Sequence, residues 1–210
     1  MPGRPKVDVT DAEQVAAVVA KCMDHWGRVD ILHNNVGILD VGGPVDASLE
    51  SWERVVSVNL TSMFLTCKYV LPVMEAQGGG AHRQHRLDCR DPLPGDPLCV
   101  LLRHQGRVLQ LTQSVALEYA EKGVRVNSIL PGLMNTPMIV EPLKGVYADG
   151  DVDKMIEMRN EQVPMKTMGM PGTLPTPRFS LGLRRGPLHH GHPTGRRWRI
   201  DVQVLNRECH

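Results

Sequence analysis

The sequence predicts one α/β layer domain, and three observations carry that prediction. Apolar residues recur at helical spacing in three long segments. Short apolar runs after a glycine read as buried strands. The order helix, strand, helix, helix, strand, with short turns between, is that of an α/β layer fold.

The elements follow in order. Thr10-Asp11-Ala12-Glu13 has the form of a capping box, a hydroxyl with Glu three residues on. Val15, Val18, Val19, Cys22, Met23 and Trp26 then mark a helix that Gly27 ends. Val29 to Leu32 reads as a buried strand running into the polar turn Asn34-Asn35-Val36-Gly37, and a loop with Gly42-Gly43-Pro44 follows. A long helix begins at Ser51, with Trp52, Val55, Val56, Leu60, Met63, Phe64, Cys67, Val70, Leu71 and Met74 as one buried stripe, and Gly78-Gly79-Gly80 ends it. Val108, Leu111, Thr112, Val115, Ala116 and Tyr119 share the face of another helix, which Gly123 stops. Val124 to Leu130 is a strand, turned by Pro131-Gly132. Ligands of such folds sit at the carboxyl ends of the strands.

Composition is that of an ordinary globular chain: 210 residues, 41% hydrophobic and 22% charged. A net charge of +1 gives no field for nucleic acid or an anionic membrane. Met1 to Thr10 has no apolar run like a secretory leader, and no stretch of about 18 apolar residues suggests a spanning helix. Five cysteines without paired spacing (Cys22, Cys67, Cys89, Cys99, Cys209) fit a reducing cytoplasm. The texture is uneven. Residues 8–80 and 109–168 have the periodicity of folded protein; 82–107 and 171–200 are rich in Arg, His and Pro and lack it.

Four motifs, in order and with consistent spacing, resemble the short-chain dehydrogenase/reductase family, and its 3-oxoacyl-carrier-protein reductases in particular. Asn34-Asn35-Val36-Gly37 is similar to the family's Asn-Asn-Ala-Gly turn, and Val58-Asn59-Leu60 to its helical Asn segment. SVALEYAEKGVRVNSILPGLMNT, Ser114 to Thr136, resembles the stretch closing in a Pro-Gly-x-x-x-Thr turn, and Asp8-Val9 the pair beside the adenine. The resemblance implies a doubly wound, Rossmann-like parallel sheet, a single domain that is incomplete here. It implies NAD or NADP held by Asp8, Val9, Asn34, Asn35, Gly37, Pro131, Gly132 and Thr136. It also implies hydride transfer to or from a small alcohol or ketone, with Asn59 in the catalytic set holding a water of a proton relay. By spacing alone, Asn59 falls on the apolar stripe, so its amide is either a network node or part of a site. Met134 to Met170 reads as core and lid filler.

Much of the family's machinery has no counterpart in these 210 residues. No Gly-rich phosphate turn occurs. Tyr69, Tyr119 and Tyr147 each lack a Lys four residues on, so the family's Ser and Tyr-x-x-x-Lys are missing. They belong between Gly80 and Gln110, and there the genetic code is informative. Read one base later, codons for His82 to His85 permit Ile-Val-Asn, and those from Val100 to Val108 permit Ser-Tyr-Ser-Ala-Thr-Lys-Gly-Ala. Shifted codons after Pro171 permit a closing helix and a last strand ending Val-Asp-Gly-Gly. The expectation is a chain truncated at the front and frame-shifted over 82–107 and 171–210, whose Val29–Leu32 strand is left with an unpaired edge.

Three rival functions remain in view. His82, His85, Cys89, Cys99 and His104 could hold a metal, but their spacing is no recognised zinc pattern, and no metal is expected. Arg184, Arg185, Arg196, Arg197 and Arg199 beside Trp198 form a basic cluster, but without a stacking platform no nucleic-acid partner is expected. A scaffold or pseudogene product that keeps only its interface helices is the third. The expected setting is cytoplasmic, with no membrane partner, and the parent enzyme a homo-oligomer, dimer or tetramer.

Overall fold

The computed structural model describes residues 6–40, 45–85, 105–129, 133–143, 150–170 and 199–202. Helix α1 spans Ala12–Trp26, and Asp11 caps it by accepting from the Glu13 and Gln14 N–H groups at 2.9 and 3.1 Å. The cap is therefore one residue later than the sequence suggested. The Thr10 hydroxyl and N–H both go to Asp8 Oδ1, which leaves the helix terminus to the stronger carboxylate acceptor. Gly27, at φ 68°, closes α1 in the left-handed conformation that glycine allows.

Strand β1 (Ile31–Asn34) follows, with Leu32 and Asn34 turned inward. Helix α2 (Leu49–Val56) then runs through a π-turn, Ser57–Thr61, into α3 (Ser62–Ala76). That turn corrects the single stripe expected of the long helix. One extra residue rotates the following helix by about 100° relative to a regular α-helix. Val55, Met63, Cys67, Val70, Leu71 and Met74 are buried as expected, whereas Phe64 is 52% exposed. The continuous helix Leu49–Ala76 is also long and apolar enough to cross a membrane, contrary to the sequence reading, yet Cys67, Val70, Leu71 and Met74 pack into the core beside Leu32.

Strand β2 (Gly80–His85) lies where no periodicity announced a strand. Helix α4 (Gln105–Tyr119) and strand β3 (Val124–Ile129) complete the order. Among the described residues the sheet has four parallel strands, β3-β2-β1 and then β4 (Arg199–Val202). Leu32 stands level with His82 on one side and Ile200 on the other. Strand β4 thus overturns two expectations: a tail without a strand here, and a bare edge on β1. Where β2 and β3 begin, two backbones touch. A Cβ on Gly79 (φ 139°) would lie 2.7 Å from the Gly123 carbonyl oxygen, so only glycine fits.

Two short helices went unread in the sequence, α5 (Pro137–Leu143) and α6 (Val152–Gln162). They form a second apolar cluster, Leu143 and Met155 with Leu39, Ile139, Val140 and Ile156. Asp151 caps α6 by accepting from Lys154 N–H at 3.1 Å.

Candidate functional site

A parallel sheet brings the carboxyl ends of its strands to one edge. Asn34, Gln84 and Ser128 are level in register there, and the chain leaves β1 as Asn35-Val36-Gly37. Helix α1 returns the chain to the start of β1, so Asp8 and Val9 lie before its amino end, on this same side of the sheet.

Asn59 organises the turn beyond Gly37. Its Oδ1 accepts from Ile38 N–H at 2.8 Å and its Nδ2 donates to the Ile38 carbonyl at 2.9 Å. The carboxamide thereby satisfies both backbone groups of one residue, as a neighbouring strand would. Asn59 sits within the π-turn, a distortion found frequently at functional sites. The Ser51 hydroxyl donates to the Asp40 carboxylate, so α2 holds the same loop at a second point.

The two asparagines of the turn diverge. Asn35 is exposed at the strand end, while Asn34 is 4% exposed and points into the sheet. Its Nδ2 lies 3.1 Å from His82 Nε2. An amide nitrogen only donates, so Nε2 accepts and the ring proton rests on Nδ1. Both ring nitrogens are 3.8 Å from Cys67 Sγ. Burial of the ring pushes the His82 pKa down to about 4, so the imidazole is neutral. This buried polar trio was not foreseen, because His82 lay in a segment without readable periodicity.

The remaining predicted residues are spread along the edge. Asp8 is exposed, its Oδ1 engaged by Thr10, and Val9 is fully buried. Thr136 is half-buried and caps α5, its carbonyl accepting from Ile139 N–H at 3.0 Å, with Pro137 in the first helical position. Leu133 to Asn135 pairs with Gly169, and Met168 N–H donates to Asn160 Oδ1 at 2.8 Å, which ties α6 to the Thr136 segment. Pro131 and Gly132, the metal candidates Cys89, Cys99 and His104, and Arg184, Arg185, Arg196, Arg197 and Trp198 lie outside the described residues. Among the described residues no three His, Cys, Asp or Glu side chains gather around a metal-sized space.

The exposed Asn35, the half-buried Gly37 and the Thr136 cap suit the flank of a dinucleotide. The described residues contain no Gly-rich turn for its pyrophosphate.

This class of domain is a parallel α/β sheet with a strand-end ligand edge. Residues 5–174 match the family described as Enoyl-(Acyl carrier protein) reductase. The chain is 37% identical over 139 residues to 2-(R)-hydroxypropyl-CoM dehydrogenase of Xanthobacter autotrophicus, covering 64% of this chain and 55% of that protein. A structure from Burkholderia xenovorans, assigned to the short-chain dehydrogenases/reductases, is 42% identical with a TM-score of 0.70, covering 78% of this chain and 61% of that one. NAD+-bound xylitol dehydrogenase is 26% identical with a TM-score of 0.70, over 78% and 66%. The chain belongs to the short-chain dehydrogenase/reductase family. It spans about half the length of the first of these relatives.

Proposed function

We propose that the chain is part of an oxidoreductase that moves a hydride between NAD or NADP and the carbinol carbon of a small alcohol or ketone. The single observation behind this reading is the Asn59 clamp on Ile38, which fixes the turn of Asn34, Asn35 and Gly37 from inside a π-turn. Asn35, Gly37, Pro131, Gly132 and Thr136 would flank the nicotinamide half of the cofactor, and Asp8 and Val9 the adenine. The cofactor supplies the hydride. The chain's own residues orient the cofactor's edge, Asn59 by fixing the turn through its two bonds to Ile38. Proton transfer to the substrate oxygen needs a hydroxyl of lowered pKa, and no Tyr-x-x-x-Lys occurs in the sequence. The 210-residue chain therefore binds cofactor weakly and turns nothing over. The frame-shift reading gains support from His82, a fully buried imidazole on a central strand where the shifted codons permit Ile. Sequencing the locus tests it: single-base events near the codons of Ala81, Val108, Met170 and Leu181 are expected, and a verified sequence whose other frames do not spell Tyr-Ser-Ala-Thr-Lys contradicts it.

A second reading, a homo-oligomeric scaffold in the cytoplasm, draws on exposed Phe64 of α3 and Leu117 of α4. Cofactor titration separates the two. A self-associating chain with no affinity for NADH or NADPH, even with both segments replaced by their shifted-frame readings and a Gly-rich strand-turn-helix unit added before residue 1, favours the scaffold.

A further inference from the structure

Arg159 is 4% exposed, and its Nε and Nη1 are buried with no hydrogen-bond acceptor among the described residues. A guanidinium keeps its charge and is almost never fully buried unless paired. The carboxylates of its own helix are turned away. Asp153, Glu157 and Glu161 are all exposed, Glu161 binds Lys166 at 2.8 Å, and Asp151 caps the helix. The neighbouring Asn160 amide oxygen is taken by Met168 N–H. Arg159 stands four residues after Met155 and shares its helix face. Met155 is fully buried among Leu143, Leu39 and Ile139. Leu39 follows the clamped Ile38, and Ile139 is bonded to Thr136, so this apolar wall adjoins both arms of the candidate site.

We propose that Arg159 is the anchor of an oxyanion subsite on α6, and that it receives the carboxylate of an alcohol or ketone substrate whose aliphatic part lies against the partly buried Leu39 and Ile139. This rests on the hydride-transfer reading for the identity of the substrate, and on the buried guanidinium for the anion. The planar fork matches a carboxylate with two parallel hydrogen bonds, and a dry surrounding strengthens them.

The test uses the 210-residue chain and needs no turnover. Urea unfolding is followed with butyrate, with neutral butyramide of the same shape, and with inorganic phosphate. A ligand that binds only the folded state raises the midpoint by mass action. Butyrate is expected to raise it and butyramide not. Arg159→Met should weaken butyrate about tenfold or more, the worth of a hydrogen bond to a charged group. Arg159→Lys should keep part of the effect, since it retains charge without the fork. Without ligand, Arg159→Met should be at least as stable as the parent chain, because an apolar side chain replaces an unpaired charge. If Arg159→Met does not fold, Arg159→Gln carries the same comparison. Equal effects of butyrate and butyramide, or a butyrate effect that survives loss of the guanidinium, overturn the proposal. A phosphate effect equal to that of butyrate overturns the substrate-tail assignment. Cofactor plays no part in this assay, so its failure leaves the hydride-transfer reading standing, and a failed cofactor titration leaves the anion result intact.

Discussion

Strand β1 is held at both ends by a carboxamide, and the two clamps do different work. At the amino end Gln77 accepts from Val29 N–H at 3.1 Å and donates to the carbonyls of Val29 and Gly79, at 2.5 and 2.9 Å. At the carboxyl end Asn59 makes the matching pair with Ile38. Gln77 follows a regular helix end and joins two chain segments where β1 and β2 start, which serves stability. Asn59 emerges from a π-turn and holds the loop on the carboxyl edge of the sheet, beside the candidate site. The same amide chemistry ties the sheet together at one end of a parallel strand and fixes a loop at the other.

Breaking the amino-end clamp should cost most. Gln77→Ala removes three hydrogen bonds and leaves backbone groups without partners, a loss of roughly 3 kcal/mol. Urea unfolding reads this as a lower midpoint with an unchanged slope. A shift as small as that of a surface substitution would remove the distinction between the clamps.

Between the clamps lies His82, whose effect is of similar size but depends on pH. Its folded pKa, about 4, is below the ordinary 6.5, so the unfolded chain binds the extra proton between those values. Stability is full above pH 6.5 and falls as the pH drops toward 4, by roughly 3 kcal/mol in all. In His82→Ile this dependence should flatten in melts taken between pH 4 and 7. A parent chain with a flat profile would mean the imidazole is not held neutral by burial.

Asn59→Ala should lower stability less, by about 1–2 kcal/mol, because it removes two half-buried bonds. Hydrogen exchange should show Ile38 N–H losing protection while Leu32 N–H keeps it. Loss of protection along the whole of β1 would make Asn59 a global clamp like Gln77. Smallest, Asp11→Ala should cost about 1 kcal/mol through the lost α1 cap, visible as a modest fall in melting temperature. No change at all would place the cap at Thr10 after all.

What the sequence revealed and what it hid follow from the forces that place each element. Helix α1, β1, α3, α4 and β3 were legible because each buries a stripe of its own. Strand β2 was not: Ala-His-Arg-Gln-His carries no strand pattern, and it is a strand because β1 and β3 pair with it on both sides. Helix α5 and α6 were missed although their signals, Thr136-Pro137 and Asp151, stand in the chain. The site was half legible. The sequence offered Asn34, Asn35, Gly37 and Asn59 as candidates, but it did not show Asn34 turning into the sheet toward His82, and a period of 3.6 conceals the extra residue of a π-turn, so neither the bond to Ile38 nor the exposure of Phe64 could be read. Arg159 was invisible for another reason, since a charge on a short polar helix reads as a solvated face.

The central claim is that the Asn59-clamped edge belongs to a hydride-transfer site whose proton-transfer residues are not in this sequence. The measurement that tests it most directly is NADH and NADPH oxidation with a panel of ketones, run on the 210-residue chain, on a chain with both segments in their shifted-frame readings and a Gly-rich strand-turn-helix unit added before residue 1, and on that second chain with Asn59→Ala. The account predicts no turnover by the first, turnover by the second, and a clear loss of turnover in the third. Sustained oxidation by the 210-residue chain, or a second chain indifferent to Asn59→Ala, would contradict it.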